Sequence, residues 1–258
     1  MYYSIVMPFR RGEIEVLAVD DQKDILDLSE LFLERFEDDL NVETTVDPEE
    51  DPGFVVEGEL DAIVSDYNMP AMNGLELLEE VREIDDSLPF ILYTGKGSEE
   101  VAAEAVNLGV TDYFRKEAGS DHYQMIAARL VDAVDSYRSA KEREVYESIV
   151  ENSENPILVT DSESNILYVN EAFEDITGYS EEEVLGENPN ILNSDFHTDD
   201  VFSDMYASLR AGEIFEIEEM RNVDRNGDEY IHDQHLIPVS ISGETPEFYA
   251  AISDVKEA

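Results

Sequence analysis

The stretch "AIVSDYNMPAMNG" (residues 62–74) places an aspartate, Asp66, directly after a short run of small and apolar residues. Such a run, followed closely by Pro70 and Gly74, predicts a buried strand that ends in a turn. A carboxylate at that point is either an ordinary turn residue or a reactive group held at the end of the strand. The neighbouring segments decide between these two interpretations.

Short apolar runs alternate with amphipathic stretches through the first half of the chain. The predicted strands are 13–21, 41–46, 61–66, 89–95 and 111–116, and the predicted helices are 24–36, 74–84, 98–109 and a long one that starts at Asp121. A further short helix is predicted within 47–60. Short strands that alternate with helices are typical of a parallel sheet covered on both faces. The sequence therefore predicts an α/β fold with a five-stranded, doubly wound parallel sheet.

Polar side chains occupy the carboxyl ends of four predicted strands, where ligands bind in this class of fold. They are Asp20, Asp21, Asp66, Thr94 and Lys116. Three carboxylates repel one another unless a cation is present, and a site with only oxygen ligands suits Mg²⁺. A lysine and a threonine can bind the oxygens of a transferred phosphoryl group. The set indicates phosphoryl transfer to a carboxylate nucleophile.

The motifs "VDD" (19–21), "DYNMP" (66–70), "TG" (94–95) and "DYFRK" (112–116) resemble, in this order, the response regulator receiver family over residues 14–135. The resemblance implies one role for each residue of the site. It implies that Asp66 is the phospho-acceptor and that Thr94 and Lys116 hold the phosphoryl group. Asp21 would bind Mg²⁺ directly, Asp20 would bind it through water, and the backbone carbonyl of Asn68 would face the metal. Tyr113 would be the aromatic residue that changes its rotamer on activation. Glu117 departs from the proline usual in the family, and we therefore expect a trans peptide bond there.

Residues 121–153 contain no proline or glycine, which predicts one long connecting helix. Its apolar residues at 123, 126, 130, 133, 137 and 140 follow a heptad spacing. Packing onto the helix's own domain explains the first part equally well. Beyond Tyr137 we expect little remaining surface of that domain, and we therefore predict that a partner helix packs there in a homodimer.

The second half begins with strand, turn, strand and short helices (156–192), continues with a helix (199–212), and ends with three strands (214–255). This order predicts an α+β domain with an antiparallel sheet and room for a pocket. The runs "YVNEAFEDITGYSEEEVLG" (168–186) and "RNGDEY" (225–230) resemble the PAS family over residues 146–258.

The segment "GENPNILN" (186–193) resembles the flavin-binding, light-sensing branch of that family. Pro189 stands where that branch has its photoreactive cysteine, so no flavin–thiol adduct can form. Candidate pocket residues are Asn188, Asn193, Asn222 and His232. His232 and His235 lie on opposite faces of a strand, so at most one could face an axial position of haem. Flavin and haem remain alternatives to a pocket closed by apolar side chains.

The composition is strongly acidic, with 64 acidic and 16 basic residues and a net charge of −48. This charge argues against binding to nucleic acid or to anionic membranes. The acidic residues are spread along the whole chain, which predicts adaptation to a cytoplasm with molar salt, where charges are screened over about 3 Å. Without cysteine the chain has no disulfides or thiolate metal sites. No apolar run is long enough to span a bilayer, and we predict a cytoplasmic protein.

The predicted organisation is an N-terminal extension (1–13), a receiver core (14–120), a connecting helix (121–153) and a PAS domain (154–258). The predicted function is phosphorelay signalling, in which a sensor histidine kinase phosphorylates Asp66 and the change passes through the helix to the PAS module and a downstream protein. Catalysis is limited to the receiver's own phosphorylation and dephosphorylation. The alternative is a ligand-sensing PAS scaffold whose receiver is a docking module.

Overall fold

The computed structural model describes residues 12–47, 60–70, 72–95, 99–117, 119–194, 196–243 and 245–256. The chain divides into two compact units, Met1–Arg143 and Glu144–Ala258. Most of the predicted N-terminal extension and the helix predicted within 47–60 lie outside the described residues.

The first unit contains a parallel sheet of five strands in the order β2-β1-β3-β4-β5. The strands are β1 (Ile14–Val19), β2 (Leu40–Thr45), β3 (Ala62–Ser65), β4 (Phe90–Thr94) and β5 (Asp112–Arg115). The helices are α1 (Lys23–Phe36), α2 (Gly74–Ile84), α3 (Glu99–Asn107) and α4 (Asp121–Glu151). This arrangement confirms the predicted α/β fold.

The sheet is covered on both faces, and successive residues of β1, β3 and β4 enter opposite apolar layers. On β3, Val64 packs in the layer that contains α1 and α4, whereas Ile63 packs in the layer that contains α2. On β4, Ile91 packs in the layer that contains α1 and α4, and Phe90 packs in the layer that contains α2. Because both faces of β3 and β4 are buried, these strands are short continuous runs of mainly apolar residues, whereas the edge strand β2 alternates between buried and exposed residues.

The helix α4 docks on the first unit over most of its length. The Tyr137 hydroxyl donates to Asp85 Oδ2 at 2.8 Å, and Lys141 Nζ lies 3.4 Å from the same oxygen. Arg138 Nε donates to Asp61 Oδ1 at 2.8 Å. The expectation that little surface of this domain remains beyond Tyr137 was therefore wrong, because ion pairs extend the contact to Lys141. Packing within the unit accounts for the heptad positions up to Tyr137, and the homodimer stays a prediction.

The second unit contains an antiparallel sheet of five strands in the order β7-β6-β10-β9-β8. The strands are β6 (Ile157–Asp161), β7 (Ile166–Val169), β8 (Phe215–Val223), β9 (Glu229–Val239) and β10 (Phe248–Val255). The helices are α5 (Glu171–Thr177), α6 (Glu181–Val184) and α7 (Asp199–Arg210), with a 3₁₀ helix at Pro189–Leu192. Helical side chains such as Phe173 and Leu209 share one core with Leu158 and Leu236 of the sheet. The predicted α+β domain is confirmed.

Asn170 joins the end of α4 to this sheet, and its side chain is fully buried. Its Oδ1 accepts hydrogen bonds from the backbone N–H of Ile157 at 2.8 Å and of Phe173 at 3.1 Å. Its Nδ2 donates to the carbonyl oxygens of Val150 at 3.1 Å and Asn155 at 3.0 Å. One side chain therefore caps α5 and satisfies backbone groups at the end of α4.

In the part of the chain that the structure describes, no helix has both the length and the apolar character needed to cross a membrane.

Candidate functional site

The carboxyl ends of β1, β3, β4 and β5 meet at one edge of the parallel sheet. The ladder continues into the residues that follow the strands: the Asp66 N–H donates to Val19 O at 2.8 Å, and the Lys116 N–H donates to Thr94 O at 2.9 Å. These bonds fix the backbone from which the side chains of Asp66 and Lys116 project. The predicted site residues of the four strands are thus brought to the same edge.

Three aspartates form a cluster there. Asp20, Asp21 and Asp66 each offer one carboxylate oxygen, and these oxygens lie within 4.8 Å of one another. Asp20 and Asp66 are only 3% and 5% exposed, whereas Asp21 is exposed. The Lys116 ammonium forms an ion pair with Asp20 and lies 2.9 Å from Asp66 Oδ1. One ammonium group facing three carboxylates leaves an excess of negative charge.

The electrostatics of the cluster favour a cation. Burial raises the pKa of Asp20, although the hydrogen bond from Lys116 opposes this effect. Asp66 Oδ2 accepts from the Asn68 backbone N–H at 3.0 Å, whereas the buried Oδ1 lies 2.9 Å from the Lys116 ammonium but outside hydrogen-bond geometry. A set of carboxylate oxygens with unused acceptor capacity fits Mg²⁺, which binds oxygen ligands. The described contact of Asn68 involves its N–H, and the role of its carbonyl stays a prediction.

Gly74, the first residue of α2, contributes to the site in a way that the sequence analysis missed. A Cβ at this position would collide with the Asp66 carbonyl oxygen and would lie 2.8 Å from Leu92 Cδ2. The side chain of Asn73 caps the helix and forms a capping box with Glu76. The spacing of Asn73 and Glu76 is the sequence signal that could have placed this helix start beside Asp66.

Thr94 and Tyr113 lie on the neighbouring strands β4 and β5. Thr94 is fully buried at the end of β4. The Tyr113 hydroxyl is buried and has no hydrogen-bond partner among the described residues. An unpaired buried hydroxyl costs about 1–3 kcal/mol. The described residues contain no cis peptide bond, so the predicted trans bond between Lys116 and Glu117 is confirmed.

The second unit encloses a cavity of about 90 Å³ between its sheet and the helices α5 and α7. Asn193 and Asn222 line it, and so does Pro189. Asn188 and His232 are not among the lining residues: Asn188 accepts from the Asn190 N–H at 3.0 Å, and His232 Nε2 lies 3.2 Å from Asn222 Nδ2. The structure therefore brings two of the four candidate residues into the pocket and places the other two outside it.

His232 is 1% exposed, whereas His235 is exposed and lies 3.3 Å from Glu216. Only one of the two histidines faces inward, as the strand alternation predicted. Burial lowers the pKa of His232 to about 4, so its imidazole is neutral at neutral pH. No ionised side chain lines the cavity among the described residues.

The cavity is small for the cofactors that the sequence left open. Sites for ligands of drug size occupy roughly 300–1,000 Å³, well above the 90 Å³ found here. Binding of a flavin or a haem therefore stays a prediction, and either group would need a wider cavity than this one.

Comparison with known families and proteins assigns each unit separately. The response regulator receiver domain family matches residues 16–128, and the PAS fold family matches residues 144–255. The bacterioopsin transcriptional activator of Halobacterium salinarum is 24% identical over 77% of this chain and 32% of its own length. The response regulator SaeR of Staphylococcus aureus is 32% identical over 39% of this chain and 43% of its own length. The chain thus spans less than half the length of these relatives.

Similar solved structures cover one unit or the other. A response regulator receiver domain protein from Clostridium thermocellum is 24% identical with a TM-score of 0.44, over 49% of this chain and 98% of that one. The Vibrio cholerae chemotaxis protein CheY4 is 28% identical with a TM-score of 0.42, and the match covers 46% of this chain and 99% of that one. The LOV protein of Rhodobacter sphaeroides is 20% identical with a TM-score of 0.40, and the match covers 45% of this chain and 67% of that one.

Proposed function

Because the chain consists of a response regulator receiver domain (16–128) followed by a PAS fold (144–255), we propose that it is a phosphorelay protein whose phospho-acceptor is Asp66. The observation that carries this proposal is the buried Asp66 carboxylate, which faces Lys116 beside two further aspartates. We further propose the boundaries predicted from the sequence, with a receiver core (14–120), a connecting segment (121–153) and a PAS domain (154–258).

The proposed reaction transfers a phosphoryl group from a phosphohistidine of a sensor histidine kinase. An oxygen of the Asp66 carboxylate attacks phosphorus, an acyl phosphate forms, the P–N bond breaks, and the leaving imidazole nitrogen takes up a proton. Lys116, which lies 2.9 Å from Asp66 Oδ1, neutralises charge on the phosphoryl oxygens. Thr94, at the end of the adjacent strand, supplies a hydroxyl donor. Attack by water on the acyl phosphate reverses the modification.

Asp20, Asp21 and Asp66 would hold Mg²⁺, with the Asn68 carbonyl as a further ligand. The ion would neutralise charge that develops during transfer. The three carboxylate oxygens support this assignment because they converge within 4.8 Å. Without a cation their mutual repulsion would oppose ionisation of all three groups.

Tyr113 is the proposed switch residue. Its buried hydroxyl lacks a partner in the described part of the chain, so leaving the interior would relieve an unfavourable interaction. A change of its rotamer would alter the surface around β5. The signal would then pass along α4 to the PAS domain and from there to a downstream protein.

The direct test is incorporation of label from a small radioactive phosphodonor by the full chain in molar KCl. We expect incorporation that requires Mg²⁺, is lost in Asp66→Asn and is reversed by hydroxylamine, which cleaves acyl phosphates. Asp86→Asn is the matched control because Asp86 is an exposed aspartate outside the site. Label that persists in Asp66→Asn would contradict the proposal.

A second candidate function, ligand sensing by the PAS domain, is favoured by the polar wall of the cavity. Gln234 and Ser253 are paired on adjacent strands, are buried, and line the cavity. Their polar side chains would hydrogen-bond to a neutral ligand in the cavity. Native mass spectrometry of the full chain should then show a bound small molecule that Ala251→Leu, which fills the cavity, removes. If the folded protein has the same mass as the denatured protein, no small molecule is bound and the ligand-sensing role is contradicted.

A further inference from the structure

The ammonium group of Lys116 has a third neighbour besides Asp20 and Asp66. Its Nζ lies 5.5 Å from the centroid of the Tyr93 ring. Tyr93 is 4% exposed and directly precedes Thr94 on β4. A cation over an aromatic face is attracted by the ring quadrupole, more strongly where water is excluded. The ring therefore helps to hold the ammonium group beside Asp66.

The hydroxyl group of the same tyrosine reaches the start of α4. It lies 2.5 Å from Nε2 of His122, the second residue of that helix, which is 8% exposed. Burial raises the pKa of Tyr93 above its ordinary value and lowers the pKa of His122. The hydroxyl is therefore protonated and forms a hydrogen bond with Nε2 of a neutral imidazole. One side chain contacts both the cation of the site and the first turn of α4.

The position of Tyr93 is restricted by aromatic neighbours. Its ring centroid lies 5.6 Å from that of Tyr123, which in turn stacks on Phe32 of α1 at 5.3 Å. Tyr93 packs in the apolar layer that contains α1 and α4, whereas Tyr113 packs in the opposite layer. The contact from Lys116 to α4 through Tyr93 is therefore separate from the proposed Tyr113 switch.

We propose that Tyr93 is a positioning residue that holds Lys116 against Asp66 through its ring and connects Lys116 to α4 through its hydroxyl bond to His122. This inference rests on the proposed phosphorylation of Asp66. A bound phosphoryl group offers new anionic oxygens to the ammonium and so changes its contact with the ring. Because coupling between two sites is reciprocal, breaking the contact at His122 also changes the response of α4 to the phosphoryl group.

The first measurement is the rate at which a small phosphodonor modifies the full chain in molar KCl with Mg²⁺. Tyr93→Leu removes the aromatic face, and we expect the rate to fall about 3- to 30-fold, the range that a cation–π contact supports. Tyr93→Phe keeps the ring and the volume, and its rate should stay within about twofold of wild type. Circular dichroism of each variant verifies that it is folded. A wild-type rate in Tyr93→Leu would overturn the positioning role.

The second measurement is hydrogen exchange in residues 121–143 of the full chain with and without beryllofluoride and Mg²⁺. We expect beryllofluoride to change protection in wild type, in His122→Gln, which keeps a hydrogen-bonding side chain, and in the control Tyr137→Phe. Tyr137 lies on the same helix as His122, and its hydroxyl donates to Asp85. Tyr93→Phe and His122→Leu should lose most of the change. A full response in Tyr93→Phe would overturn the connection, whereas a wild type without phosphorylation at Asp66 would overturn the proposed function and this inference with it.

Discussion

At the scale of single residues, Gly74 allows α2 to lie close to the backbone of Asp66. Gly74→Ala would force a Cβ against the Asp66 carbonyl oxygen and Leu92. Overpacking of this kind costs about 1–3 kcal/mol, which outweighs the roughly 1 kcal/mol gain in helix propensity. We expect a lower free energy of unfolding in urea, together with slower phosphorylation.

Gly95→Ala is the matched control for Gly74→Ala. A Cβ at Gly95 would lie 3.9 Å from the Lys116 side chain, which is ordinary van der Waals contact. Both variants are measured by urea unfolding in molar KCl. If the two variants had the same free energy of unfolding, the close contact of Gly74 with Asp66 would not limit which residue the protein tolerates at position 74.

His232 should make the stability of the second unit depend on pH. Its folded pKa of about 4 lies below the ordinary histidine value near 6.5, because burial disfavours the charged form. The unfolded chain therefore binds a proton first as the pH falls. Stability is complete above about pH 6.5 and declines toward pH 4, with a loss of about 2 kcal/mol at pH 5.

His232→Gln should abolish this decline, whereas the exposed control His235→Gln should retain it. The measurement is the urea midpoint of each variant at pH 7 and at pH 5, in molar KCl. An unchanged pH dependence in His232→Gln would show that another group is responsible.

At the scale of elements, the docking of α4 depends on Asp85. Burial alone would raise the pKa of Asp85, but hydrogen bonds from Ser87 and Tyr137 and the charge of Lys141 outweigh it and lower the pKa to about 2. An aspartate whose folded pKa lies below the unfolded value of about 3.9 stabilises the protein above that pH, and this stability is lost as the pH falls through 2.

Asp85→Asn should therefore reduce the free energy of unfolding by about 2 kcal/mol at pH 7 and by progressively less as the pH falls from 4 toward 2. Chemical denaturation over this pH range measures the difference, with Asp86→Asn as the exposed control. A difference that stays constant down to pH 2 would contradict the assigned role of the carboxylate.

The junction between α4 and the PAS sheet depends on Asn170. Asn170→Ala removes a helix cap worth about 1 kcal/mol and leaves the buried N–H of Ile157 without its partner, at a further cost of about 1–3 kcal/mol. We expect a total loss near 3 kcal/mol in thermal or urea unfolding. Asn152→Ala removes an exposed contact at the same helix end and should cost less than about 0.5 kcal/mol. Equal losses for the two variants would contradict the role of Asn170.

The elements themselves could be predicted from the sequence because local patterns encode them. A buried parallel strand is a continuous apolar run, and the strand-end aspartates and lysine follow those runs directly. The docking of α4 beyond Tyr137 could not be predicted, because it depends on the ion pair between Arg138 and Asp61, which are distant in the chain. Tyr93 was equally hidden, since a tyrosine in an apolar strand reads as a core residue.

The PAS pocket was only partly predictable for a related reason. The resemblance to the flavin-binding branch made His232 a candidate pocket residue, and it is buried. It contacts Asn222 rather than the cavity, because Asn222 occupies the lining position. Whether His232 or Asn222 reaches the cavity depends on how β8 and β9 pack against each other. The sequence of one strand alone does not determine this.

At the scale of the whole molecule, the net charge of −48 should make stability depend on salt. Charges are screened over about 10 Å at 0.1 M salt and about 3 Å at 1 M, so self-repulsion weakens as KCl is added. We expect the thermal midpoint to rise steeply with KCl. A neutral osmolyte at equal osmolarity is the control, and an equal rise with that osmolyte would show that screening of charge is not the cause.

The proposed phosphorelay function requires Asp66 to be the residue that carries the phosphoryl group. The most direct measurement treats the full chain with a small phosphodonor and Mg²⁺ in molar KCl, reduces the acyl phosphate with borohydride, and locates the resulting homoserine by tandem mass spectrometry. We expect homoserine at position 66 alone, and none in Asp66→Asn. Homoserine at another aspartate, or none in a wild type that binds Mg²⁺, would contradict the proposed function.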